Sequence, residues 1–144
     1  MKLINLLDLA LKSDEVVELL EEFDLPVVYD FDRLHEGIED IYWVSAHGQG
    51  FQLRFDERQV LKTIFMYASG NEQYKPVDPS LAGVSFYSSF EQAKNDFAEK
   101  NVPVKTGQAD NRWIKGSFAE CSLHYEFRPS GELVMVTAMA NRDA

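Results

Sequence analysis

Two short runs of alternating side chains constrain this chain more than any other feature. Phe51, Leu53 and Phe55 alternate with Gln52 and Arg54, and Leu123, Tyr125 and Phe127 alternate with His124 and Glu126. Successive side chains of a β-strand point to opposite faces, so each run reads as a strand with one apolar and one wet face. The runs stand 72 residues apart, and their surroundings recur with them. Leu25-Pro26-Val27 is matched by Val102-Pro103-Val104 at an offset of 77, Trp43 by Trp113 at 70, and Leu61 by Leu133 at 72. The order helix, Pro-Val, Trp strand, alternating strand and closing strand therefore occurs twice. The pattern predicts an α+β fold of two helix-plus-antiparallel-meander repeats. Helices would pack on one face of an antiparallel sheet of about six strands.

The 144 residues read as a single domain, 1–144, in two halves. Residues 1–70 hold helices plus three strands, and residues 83–140 hold a helix plus three strands. The first helix is expected over 3–12. A second begins at Ser13 or Asp14, carries Val16, Leu19, Leu20 and Phe23 at i, i+3, i+4 and i+7, and stops before Pro26. A loop rich in Asp follows from 29 to 40. Strands are expected over 41–46, 51–55 and 60–68, with His47 to Gly50 as a turn. Residues 70–82 read as a linker. Ser88 and Glu91 have the spacing of a capping box for a helix carrying Phe90, Ala93 and Phe97. Asn101 is a candidate left-handed terminator before Pro103. Strands are expected around 113–114 and over 121–127 and 132–140, with Pro129-Ser130-Gly131 as the last hairpin turn.

Charge is distributed unevenly over this plan. Residues 1–50 carry twelve acids and three bases, whereas 51–144 carry twelve acids and eleven bases. From Asp14 to Asp40 there are eleven acids and one base, Arg33. A helix usually mixes in lysine at i+4, worth a few tenths of a kcal/mol. The helix after Ser13 has none. Such a surface repels phosphates, and no basic patch is present to release counterions, so nucleic acid is excluded as a partner. It favours a cationic protein instead. No run approaches the ~20 apolar residues of a membrane span. No secretory leader or lipidation cysteine is visible, and the single Cys121 precludes an internal disulfide. A reducing cytoplasm is the expected compartment.

Little in the sequence carries chemistry. His35, His47 and His124 share no metal-ligand spacing with one another or with an acid. Cys121 has the parity of Leu123 and Tyr125, so a buried, inert thiol is expected. Tyr29-Asp30-Phe31-Asp32-Arg33 lacks the third ligand, central glycine and terminal glutamate of a calcium loop. Gly48-Gln49-Gly50 does not lead from a strand into a helix, as a phosphate loop must. The sequence therefore assigns no catalytic residue, no metal ligand and no cofactor.

The second half carries Gly83-Val84-Ser85-Phe86, Ser89, Pro103, Trp113, Leu123-His124-Tyr125, Gly131 and Val136-Thr137-Ala138-Met139. In that order these resemble small bacterial immunity proteins encoded beside polymorphic toxins. The helix-plus-meander unit is also similar to that of the small lipoprotein of the outer-membrane barrel-assembly machine. The resemblance implies a non-enzymatic protein that binds and inhibits a toxin domain. It brings no catalytic residues.

The expectation from charge and resemblance together is a cytoplasmic binding protein with an acidic N-terminal face. Glu15, Glu18, Glu21, Glu22, Asp30, Asp32, Glu36 and Asp40 are its candidate partner-binding residues, with Tyr29, Phe31 and Tyr42 as anchors and a basic protein as partner. Two other readings stand beside it. One is a small enzyme or ligand binder with a cleft between the halves. The other is a structural module that dimerises through an exposed sheet edge.

Overall fold

The computed structural model describes residues 1–31 and 34–141. The alternating runs form the strands expected of them. They belong to an antiparallel sheet of eight strands, two more than the sequence plan. In chain order the strands are β1 (Val28–Asp30), β2 (Ile41–Ala46), β3 (Phe51–Phe55), β4 (Leu61–Tyr67), β5 (Val104–Gln108), β6 (Arg112–Ser117), β7 (Cys121–Phe127) and β8 (Leu133–Ala140). Their spatial order is β1-β2-β3-β4-β8-β7-β6-β5. Two four-stranded meanders thus meet through their last strands, where Thr63, Ile64 and Phe65 pair with Met139, Ala138 and Thr137.

Register places the apolar residues of neighbouring strands in rows. Leu53 faces Ile64, Ile64 faces Ala138, and Ala138 faces Leu123. A second row runs from Phe51 through Met66 and Val136 to Tyr125. All are buried. The opposite side shows Trp43, Arg54, Phe65, Trp113, Lys115, His124 and Glu126, each half-buried. On it Trp43 stacks on Phe65 and Trp113 on His124, with ring centroids 6.4 and 5.1 Å apart. Trp113 lies flat over Gly107, where a Cβ would come within 2.5 Å of the indole. That close approach is why β5 carries a glycine there.

Among the described residues, three α-helices accompany the sheet: α1 (Asp14–Glu22), α2 (Pro79–Ala82) and α3 (Phe90–Glu99). α1 buries Val16 and Leu19, and Phe23 after it meets Phe51 edge-on at 6.3 Å. α3 buries Phe90, Ala93 and Phe97. Phe97 contacts Tyr87, Phe118 and Tyr125, while Phe90 meets Phe127. Aromatic pairs in such edge-on contacts add to the stabilisation of area burial alone.

Several local expectations need correction. No helix spans 3–12: a 3-10 turn covers Leu3–Leu6 only. Asp8 then turns into a left-handed conformation at φ 66°. Beyond it the chain runs beside residues 59–61, with Leu61 N–H donating to the Leu9 carbonyl and Leu11 N–H to that of Gln59. Strand pairing therefore takes the backbone groups a helix would have used. Ser13 is the N-cap of α1, but its hydroxyl donates back to the Ala10 carbonyl at 2.6 Å instead of capping. α1 ends through Asp24 at φ 53°, with Leu25 N–H reaching the Leu20 carbonyl. The capping box of α3 sits one residue later than expected. Ser89 Oγ accepts from Gln92 N–H, and Gln92 Oε1 accepts from Ser88 N–H. Glu91 is thereby released to pair with Arg112 at 3.3 Å. Asn101 adopts the expected left-handed turn at φ 56°.

The linker expected over 70–82 contains α2 and buries Tyr74 and Val77. Gly50 explains the fit, because a Cβ there would lie 2.2 Å from the Lys75 carbonyl oxygen. The loop read from residue 29 to 40 begins inside a strand, β1. The second half likewise gains β5. Both lie at the edges of the sheet, and neither alternates in burial, being exposed at nearly every position. An edge strand wet on both sides leaves no period-two signal to read.

Candidate docking corner

The acidic run folds into two adjoining pieces. α1 presents Glu15, Glu18, Glu21 and Glu22 to solvent, opposite its buried Val16 and Leu19. Asp14 and Glu15 occupy its first turn, where the helix dipole favours anions. Among the described residues, no ion pair reaches an acid of α1.

The second piece is the corner formed by β1 and the chain leading into β2. Tyr29 and Tyr42 face each other in register and stack at 4.7 Å, and Phe31 continues the ladder at 5.3 Å from Tyr29. The three expected anchors are therefore one contiguous aromatic ladder. Tyr29 Oη donates to Asp40 at 2.8 Å. That carboxylate, through the hydrogen bond above all, raises the phenol to about 12. The ladder is thus held by a neutral hydroxyl tied to an acid.

Beside the ladder lies an open groove of about 410 Å³, lined by Asp30, Phe31, Leu34, Glu36, Ile38, Glu39 and Ile41. Its floor is apolar, with acids around it. Exposed apolar side chains concentrate here: Val28 is 58 % exposed, Phe31 44 %, Leu34 75 % and Ile38 59 %. Water-exposed aliphatic groups gathered in one place mark an interaction site more often than chance scatter does. Of the predicted residues, Asp30 and Glu36 line this groove and Asp40 adjoins it through Tyr29. The α1 glutamates lie outside it, and Asp32 falls outside the described residues. The sequence reading missed Val28, Leu34 and Ile38. Their only signal was apolar residues set in an acidic loop without helical or strand periodicity.

The other candidate chemistry is dispersed. His47 Nδ1 lies 3.1 Å from the Gln73 carbonyl oxygen and its ring stacks on Tyr74, while His35 sits in the exposed loop. His124 stays under Trp113, and burial lowers its pKa. Among the described residues, no group of three His, Cys, Asp or Glu side chains is arranged to hold a metal. A groove does join the two halves, between Asp8, Val60 and Lys62 on one side and Glu120, Cys121 and Asn141 on the other. Cys121 is half-buried there instead of fully buried. Burial first, then the charges of Glu120 and Asp8, push its thiol pKa up, the opposite of what a nucleophilic cysteine needs. The groove's Lys62 and Asp8 pair with each other at 3.0 Å.

No helix among the described residues is long and apolar enough to cross a membrane. Comparison of the chain with protein-family models, with curated proteins and with solved structures found no match.

Proposed function

We propose that this chain is a non-enzymatic binding protein whose N-terminal corner captures a basic protein, in the manner of an immunity-type inhibitor of a toxin domain. One observation carries the reading: exposed apolar side chains and an excess of acids over bases in sequence occupy the same stretch, from Val28 to Ile41. Charge of one sign steers an oppositely charged partner and sets its orientation, while a few apolar anchors hold it after contact. The acids of α1 extend the attracting field, and the Phe31–Tyr29–Tyr42 ladder with the groove supplies the anchors. The lone Cys121 and the lack of any paired thiol support a reducing, cytoplasmic setting.

The same reading takes the two halves as copies of one helix-plus-meander unit with their helices on a common face of the sheet. The mirrored strand order around the β4–β8 seam supports the duplication. Contacts of Phe23 with Phe51 and of Phe97 with Tyr125 support the common face, because Phe51 and Tyr125 share a row. A duplication whose first copy kept the acids and the exposed anchors would have specialised one half for binding.

The test is capture from host lysate at low salt, repeated at about 0.5 M salt, where the Debye length shrinks to a few ångströms. A single basic protein retained at low salt and released at high salt is the expected result. Capture of no salt-sensitive partner would demote the corner to a solvated surface.

A further inference from the structure

We infer that the partner docks by adding a strand to β1, as an extended segment in which cationic and apolar residues alternate. This rests on the docking reading above and specifies its geometry. β1 is the outermost strand of the sheet and, among the described residues, is paired on one side only, to β2. All three of its residues are exposed. A sheet edge of this kind presents backbone donors and acceptors ready to pair with another chain, and proteins usually guard it. The far edge is guarded. β5 carries Lys105 opposite Lys115, and has Gly107 closed over by Trp113. β1 has neither lysine nor glycine, and reads Val-Tyr-Asp.

The two sides of β1 differ in a way an added strand would sense. Tyr29 belongs to the aromatic ladder, on the side of Tyr42. Val28 and Asp30 face the other way, and Asp30 pairs with Ile41, both of them lining the apolar groove. Side chains of an added strand would fall alternately against the ladder and against the groove with its acids. Backbone pairing then supplies affinity, and the alternate side chains supply selectivity. Charge decides between occupants. A second copy of this chain would bring another Asp30, Glu36 and Glu39 against the first, which repel, whereas a cationic strand is attracted.

The probe is the alternating peptide Lys-Val-Lys-Val-Lys-Val, compared with the same peptide N-methylated at every peptide bond. Methylation removes the peptide-bond donors of both edges but keeps charge and side chains. Amide exchange of Val28, Tyr29 and Asp30 in the full chain is read at low salt. The unmodified peptide should slow exchange by about tenfold at those of these amides that point away from β2, and the methylated one should not. Binding of both peptides with equal protection would overturn strand addition while leaving the docking corner intact. Binding of neither would overturn both. Protection appearing without peptide and rising with protein concentration would show a second copy at this edge, which also contradicts the inference.

Discussion

The two edges of this sheet have the same construction and opposite manners. Each is a short strand after a proline, paired to a tryptophan-bearing neighbour, at the outer limit of a four-stranded meander. On the β5 side the charges are compensated. Lys100 pairs with Asp96 at 2.8 Å, Arg112 with Glu91 at 3.3 Å, and Arg128 with Glu132 at 2.6 Å. Arg112 also caps the Phe90 ring at 3.6 Å. On the β1 side α1 carries five acids and no base, and the chain after it exposes Val28, Phe31, Leu34 and Ile38. Surface ion pairs contribute little each, so the contrast is not mainly about stability. It separates a half with surface ion pairs from a half whose helix acids and corner apolar side chains face solvent.

The largest expected effect tests whether that division extends to the core. Phe97→Ala removes a ring in contact with Tyr87, Phe118 and Tyr125 and should cost about 3–5 kcal/mol in urea unfolding. Phe31→Ala, on the exposed ladder, should cost less than about 1 kcal/mol. Similar losses at the two sites would mean that the corner is structural.

Next comes the guarded edge itself. Gly107→Ala would force the Trp113 ring off the sheet and should destabilise by about 1–3 kcal/mol, with a change in tryptophan fluorescence. An unchanged midpoint and spectrum would remove the guard from the account of β5.

Acid titration sharpens the difference in how carboxylates are held. The Lys100 ammonium first, and the Tyr87 hydroxyl second, keep Asp96 below its ordinary 3.8. Its folded pKa lies below the unfolded one, so its stabilisation is full above 3.8 and is lost as pH falls through the folded value. Asp96→Asn should therefore flatten the acid limb of the melting-temperature profile and lower stability near neutral pH. An unaltered acid limb would show that the pair holds nothing.

The smallest effect concerns α1. Glu18→Lys places a cation four residues from both Asp14 and Glu22 and should raise stability by about 0.3–0.5 kcal/mol at low salt. A loss of stability would mean that Glu18 makes a contact the helix needs.

Much of this contrast is legible in the amino-acid sequence. Phe51, Leu53 and Phe55, like Leu123, Tyr125 and Phe127, bury alternate side chains, and such rows announce themselves. The acid excess of the N-terminal third was equally plain. What escaped the sequence has a common physical cause. β1 and β5 bury almost nothing, so hydrophobic periodicity could not reveal them. Residues 3–12 carry a helical stripe of leucines, yet β4 claims their backbone. Tertiary pairing there overrode a local preference. The groove at this corner needed the turn of the chain after β1 to bring Leu34 and Ile38 beside Asp30 and Ile41. No spacing rule connects those four residues.

The account stands on the N-terminal half as the surface that binds, and one matched pair of variants addresses it. Glu18, Glu21 and Glu22 are changed together to lysine in one protein, and Glu99, Glu120 and Glu126 in the other, so net charge changes equally. Association rates with the salt-sensitive partner captured from lysate are then measured over a range of ionic strength. The account predicts that the N-terminal triple slows association by at least about tenfold and flattens its salt dependence, while the C-terminal triple stays near the parent. Equal slowing in both would show that net charge alone draws the partner, and would contradict a docking surface at this end of the molecule.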